Sequence, residues 1–207
     1  MALSAEKFAS LTTGQIAALT TSSLALLGSE KLAMLTTLQV GGLKTQQLLG
    51  LSSESLNALT TEQFAALKVT QLPSLTSGQL LSLERADLQA LSTVQMGALS
   101  SAQLNYLSTE QMVSLLTSQV RGLTTLQVGA LTSVNLNALG TSQFQALTTL
   151  QVAALKASQV ASLETADLLS LGSEQLRALG TAGIAALRSE QVMALSAEKF
   201  ASLTTGQ

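Results

Sequence analysis

The chain has 207 residues, of which 46% are hydrophobic, 2% aromatic and 11% charged, with a formal net charge of −2. Disordered chains carry the opposite balance of apolar and charged residues, and so small a charge does not imply electrostatic steering toward nucleic acid, an anionic membrane or an acidic substrate. The chain has no cysteine and no histidine, which removes disulfides, Ser–His–Asp and Cys–His nucleophiles, and the usual transition-metal ligands.

The opening residues, MALSAEKF, have neither the basic n-region nor the apolar h-region of a signal peptide. From Leu3 a period of eight begins. Leucine stands at Leu3, Leu11, Leu19 and every eighth residue to Leu203, 26 positions without a gap, so the whole of 1–207 reads as one repeat domain. Numbered from that leucine, position 6 is always Leu, Val, Ile, Phe or Met, as in Phe8, Ile16 and Leu24. Position 8 is almost always Ala, Gly or Ser, position 3 mostly Ser or Thr, and position 5 is Gln in 17 of 26 octads, which gives L-T-T-x-Q-[LVIF]-x-A.

An octad cannot be a simple element. Eight residues turn an α-helix by about 800°, so a continuous helix would smear its leucines over every side. A coiled coil needs seven or eleven, and in a strand positions 1 and 6 would face opposite ways. The chain must turn a corner in each octad. Ser and Thr, the preferred N-cap residues, mark that corner at positions 2 and 3. In Thr60-Thr61-Glu62-Gln63 the spacing of Thr60 and Gln63 is that of a capping box, whereas the stricter Ser/Thr preference at position 3 favours Thr61, and both registers fit. Eight of the ten glutamates, Glu6, Glu30 and Glu54 among them, occupy position 4, where a first turn favours negative charge. Positions 6 and 1 of the next octad lie three apart and share a face.

The fold class expected is therefore an all-α solenoid of one-to-two-turn helices, one per octapeptide, with a β-solenoid as the alternative. Helices this short persist only by stacking on neighbours. An edge of roughly 9 Å, set against the 8–10 Å between packed helix axes, points to about four octads per coil, with three and five open.

Further along the chain, Pro73 removes a backbone donor from a helical stretch, a local irregularity rather than a hinge. Glu84 and Asp87 form an acidic pair, echoed eighty residues later by Glu164 and Asp167. Two carboxylates fall short of the six to eight oxygens of a calcium site, so each pair reads as a first turn in which Asp replaces Gln. Tyr106 is the one aromatic at position 8 and reads as a bulge in the packing, with a binding contact as the alternative. The uncharged stretch 122–155 is broken every few residues by Thr, Ser, Gln or Asn, unlike a membrane-spanning helix. The Gln column (Gln15, Gln39, Gln47, Gln63 and onward) is expected to satisfy backbone groups at the corners or to stack on itself, with a ligand-binding ladder as the alternative. Lys and Arg form no stripe, which argues against nucleic acid.

The unit in LTTLQVGAL at Leu123 and LTTLQVAAL at Leu147 resembles the octapeptide arrays of very large bacterial repeat proteins, which implies a spacer rather than an activity. LTTEQFAAL at Leu59 is similar to the opening helix of a TAL-effector repeat, but it lacks the proline and the DNA-reading loop, so the likeness implies only a helix start. LSAEKFASLTTGQ at Leu3–Gln15 returns at Leu195–Gln207, as in one period of a longer natural array or a chain designed to join on itself. The expected function is structural: a rigid rod, spacer or self-assembling fibre segment, non-catalytic, without metal or cofactor. Its expected partner is itself, end to end, and a peptide- or protein-binding scaffold is the alternative.

Overall fold

The computed structural model describes Phe8 and residues 10–207; Leu3 and Glu6, which open the leucine and glutamate columns, lie outside the described residues. Among the described residues there are 23 α-helices, from Thr13–Ala18 to Ala197–Ala201, each of five or six residues, and one 3-10 turn at Leu72–Ser74. No strand occurs among them, so the β alternative falls away.

The octad Leu59–Ala66 shows how the sequence builds one edge. Thr60 is extended (φ −69°, ψ 158°) and is the N-cap of the helix Thr61–Ala65. Its hydroxyl accepts from Gln63 N at 3.3 Å while its own N–H donates to Gln63 Oε1 at 2.7 Å. These two bonds settle the register: position 2 caps, and position 3 opens the helix. The helix ends as Leu67 N donates to Phe64 O at 3.1 Å, which closes the next corner. Position 3 instead meets the following coil. A Cβ built on Gly42 would lie 3.3 Å from Thr13, and the Thr61 hydroxyl donates to Asp87 at 3.0 Å. The small side chain at position 3 is thus a packing requirement, not a capping one.

The chain comprises two compact units, residues 1–99 and 100–207. In the first, Thr13–Ala18 packs on Thr37–Gly41, which packs on Thr61–Ala65, which packs on Arg85–Ala90. In the second, Ser101–Asn105, Thr125–Ala130, Thr149–Ala153 and Ser173–Ala178 stack in the same way. Each helix therefore meets the helix three octads along, and each unit is an α-solenoid with three octads per coil.

This corrects the expectation of about four. The 8–10 Å separation of packed helices applies between coils and not between the edges of one coil, which meet at corners and through single side chains at the centre. Each edge sends a single side chain, position 6, to the centre. Three of them fill it, as Leu48, Leu56 and Phe64 do with no exposure at all. A fourth edge would open a hole there, and a void among close-packed apolar side chains forfeits contact energy.

Leucines at position 1 seal the corners and are buried from Leu35 to Leu179. Burial loosens further on: Ile184 and Leu187 are half-buried, and Phe200 is 42% exposed. Pro73 leaves a 3-10 turn where other octads have an α-helix, the local irregularity expected. The expected bulge at Tyr106 is absent. Its backbone (φ −82°, ψ −17°) follows that of Ala66 (φ −82°, ψ −4°), and its ring projects outward, half-exposed.

Candidate functional site: the glutamine corner

The most elaborate polar arrangement in the molecule is the buried side chain at position 5. Gln79 is 2% exposed. Its Oε1 accepts from Thr76 N at 2.8 Å, and its Nε2 donates to the carbonyls of Leu48 and Leu51 in the preceding coil, each at 2.8 Å. Gln47, Gln71, Gln143, Gln151, Gln159, Gln175 and Gln191 repeat this fork, reaching carbonyls 28 and 31 residues earlier. A buried amide has two donors and one acceptor to satisfy, and this geometry answers them with backbone groups of two coils. The expectation that the Gln column serves the corners holds, with an addition that the sequence did not show: each Gln also ties its coil to the one before.

The fork explains why position 2 tolerates residues that cannot cap. Lys44, Leu116, Gly140 and Lys156 lack a capping hydroxyl, yet the N–H of each is held by Gln47, Gln119, Gln143 and Gln159 respectively.

Departures from Gln at position 5 divide the work differently. Lys199 donates from Nζ to the carbonyl of Leu171 at 2.8 Å and to that of Leu169, and burial pulls its ammonium below the usual lysine range, against the influence of Glu198. Asn135 reaches the carbonyls of Leu104 and Leu107 at 3.2 and 3.3 Å but is too short to cap its own corner. Asn105 supplies the missing acceptor: its Oδ1 takes the N–H of Thr132 at 2.9 Å, and its Nδ2 donates to Ala130 O at 2.8 Å.

The acidic pairs belong to the same scheme. Asp87 and Asp167 replace Gln and are each 4% exposed. Burial raises the carboxyl of Asp87 above its ordinary range, opposed by the Thr61 hydroxyl and reinforced by Glu84. Burial, then Glu164, pushes Asp167 up to about 6. Glu84 and Glu164 are N-cap residues whose side chains make no capping bond. No group of three or more metal-ligating side chains of the His, Cys, Asp or Glu type occurs among the described residues. No helix among them is long and apolar enough to cross a membrane.

One further surface feature lies in the second unit. Thr125, Leu126, Gly129 and Ala130 face Ala154 and Lys156 across an open groove. Its floor includes a close backbone approach: a Cβ built on Gly129 would lie 2.6 Å from Ala154 O. Leu126 and Leu150, three octads apart and 76% and 72% exposed, are octad position 4 in successive coils.

No curated protein matches the chain. The family model of the ALTTAQ repeat matches residues 40–77, 80–117 and 160–197. Those letters are octad position 8 followed by positions 1 to 5, the stretch from corner to glutamine fork described above. The three matches begin and end at the same octad phase and together take in more than half of the sequence: the chain belongs to the ALTTAQ repeat family.

Proposed function

We propose that this protein is a non-catalytic structural element, a rigid rod or spacer whose length is set by its number of coils. The observation that carries this reading is the fork of position 5. Within each unit, coils are fastened to their predecessors by the buried apolar column and, where the fork is formed, by two side-chain bonds to backbone carbonyls. Such bonds resist both shear and separation of coils, as a spacer requires. The resemblance to octapeptide arrays of very large bacterial repeat proteins supports the same role. Small-angle scattering on the full chain, and on variants with one or two 24-residue coils inserted, tests it. The longest dimension should grow by about 8–10 Å per coil at constant cross-section. Growth in all dimensions would refute the rod.

Self-association end to end is the finer part of this proposal. The second copy of LSAEKFASLTTGQ begins 192 residues after the first, a whole number of 24-residue periods. A further solenoid stacked in that phase would continue the fork, and a head-to-tail contact of this kind propagates instead of closing. Sedimentation and negative-stain microscopy over a concentration series check it. Ordered rods of constant width are expected, and a monomer at every concentration would sink it.

A binding scaffold for a peptide or protein is the second reading, favoured by Leu126 and Leu150 beside the groove at Gly129. If it holds, Leu126→Ser with Leu150→Ser should abolish a captured partner while leaving the melting temperature unchanged. Identical capture by both forms would discard it.

A further inference from the structure

Each of the three asparagines at octad position 7 stands thirty residues before a position-5 side chain shorter than Gln: Asn57 before Asp87, Asn105 before Asn135, and Asn137 before Asp167. In the middle pair both polar atoms of Asn105 and the amide nitrogen of Asn135 have partners. Asn105 Oδ1 accepts the Thr132 N–H, and Asn135 Nδ2 bonds both carbonyls beneath. In the two acid-containing pairs the amide nitrogens still bond as in Asn105, Asn57 to Ser82 O at 2.6 Å and Asn137 to Ser162 O at 2.7 Å. Asn57 Oδ1 and Asn137 Oδ1, however, are buried without a partner. Among the described residues no hydrogen bond reaches the carbonyls of Leu59 or Leu139, which are the acceptors 28 residues before Asp87 and Asp167. An ionised Asp brings only acceptors to a place already short of donors. Adding one proton changes the balance, because a neutral carboxyl has the shape of the Asn135 amide and one O–H to give.

We propose that Asn57–Asp87 and Asn137–Asp167 are proton-operated latches between successive coils: the neutral Asp donates its O–H to the Leu59 or Leu139 carbonyl, as Asn135 does to Leu107, and ionisation opens that bond. The surroundings favour the neutral form. Around Asp167 stand Glu164 on its own helix and, on the packed helix Ser189–Ala194 and its cap, Glu190 and Arg188. The guanidinium of Arg188 is engaged with Leu163 O at 3.2 Å and with Glu190 at 3.8 Å, and the helix beneath, Thr141–Ala146, carries no charge. Around Asp87 stand Glu84 and Arg85 on its own helix and cap, and Glu62 on the helix beneath.

The linkage has an unusual sign. A carboxyl whose folded pKa is raised contributes stability that is fully present below its unfolded value and lost as pH rises through the folded one. For Asp167 that window runs from 3.8 to about 6. Mild acid should therefore tighten this solenoid.

The chain contains only two aspartates, so Asp-selective carboxyl labelling gives two resonances in the intact protein. Both should titrate above the ordinary Asp range, Asp167 near 6. The double variant Asp87→Asn, Asp167→Asn should melt several degrees above the parent at about pH 7.5, and that gap should close by about pH 4.5, where the parent latches are protonated. Ordinary titration of both carboxyls overturns the proposal. A variant that melts no higher at the upper pH, or that fails to fold, overturns it equally, since the latch requires that the amide fit.

Discussion

Gln151 and Leu123 belong to successive coils and are joined by a bond of 2.7 Å from the side-chain Nε2 to the backbone oxygen, while Gln151 Oε1 holds the Thr148 N–H at 2.7 Å. The same Nε2 lies 3.0 Å from Val120 O. One side chain thus serves two neighbouring coils at once.

Replacing Gln151 by Leu keeps the apolar bulk and removes both functions. The Thr148 N–H and the Leu123 carbonyl would be left without their side-chain partner, at about 1–3 kcal/mol for each group orphaned away from water. Urea unfolding should register a loss of about 2–4 kcal/mol. Gln145, exposed at position 7 of the neighbouring octad, provides the control: Gln145→Leu should stay within about 0.5 kcal/mol. Comparable losses from the two would show that the fork contributes nothing beyond packing.

The central column can be tested in the same way. Leu136 is fully buried and sends its side chain to the axis, so Leu136→Ala should cost about 2–5 kcal/mol, depending on how far the neighbours collapse into the cavity. Val134, two residues earlier on the same helix, is 66% exposed, and Val134→Ala should change stability by less than about 1 kcal/mol. The inward face is misassigned if the two losses match.

How much of this was legible beforehand follows from the period itself. An invariant Leu at position 1, with an apolar residue at position 6, specifies one corner and one inward side chain per octad, and these appear as expected at Leu59 and Phe64. The number of octads per coil is not encoded there, because every edge of the coil carries the same pattern. What could have revealed it is the thirty-residue offset of Asn57 from Asp87, Asn105 from Asn135 and Asn137 from Asp167. That offset pairs position 7 of one octad with position 5 of the octad four further on, across the join between coils. The capping register was ambiguous for a similar reason: Ser and Thr at positions 2 and 3 look alike in sequence but do different work, the hydroxyl of Thr60 closing its own helix and that of Thr61 reaching Asp87. The second half of the glutamine fork was beyond the sequence, since its carbonyl partners carry no residue signature.

Lys199 offers a test by repair. It reaches the carbonyls of Leu169 and Leu171, but having no acceptor it leaves the Ser196 N–H without the side-chain partner that a Gln gives Thr148. Lys199→Gln should restore the fork and remove a partly buried charge, for a gain of about 0.5–1.5 kcal/mol in urea unfolding near neutral pH. Its burial-lowered pKa sets the sign of the pH dependence: the charged form is disfavoured in the fold, so the parent should approach the variant as pH rises toward the lysine range. A destabilised variant would mean that the ammonium is better placed there than an amide.

Two glycines at the same octad position should respond oppositely to the same substitution. Gly172 is extended (φ −69°, ψ 166°), and its N–H is held by Gln175 Oε1 at 2.7 Å, the ordinary corner. Gly180 opens the next octad with φ +65°, in the left-handed region, and that octad has Gly183 where the fork would be. Gly28 (φ +75°) sits in an octad with Lys31 at position 5, so each left-handed corner joins a glycine at position 2 to an octad without the glutamine; Ser196, in the octad of Lys199, stays extended (φ −69°, ψ 156°). Nothing lies within 4 Å of a Cβ built on Gly180, so no clash complicates the comparison and the cost of a side chain there is that of the backbone alone. Gly180→Ser should lose about 1–2 kcal/mol, the penalty of the left-handed conformation for an L-residue. Gly172→Ser should gain about 0.4–1 kcal/mol by restricting the unfolded chain at a compatible φ, with a few tenths more from a better N-cap. Opposite shifts of the unfolding midpoint are the expected result. Shifts of the same sign would mean that the corner at Gly180 relaxes to the extended form once a side chain is present, as at Ser196, and that its left-handed conformation depends on the glycine.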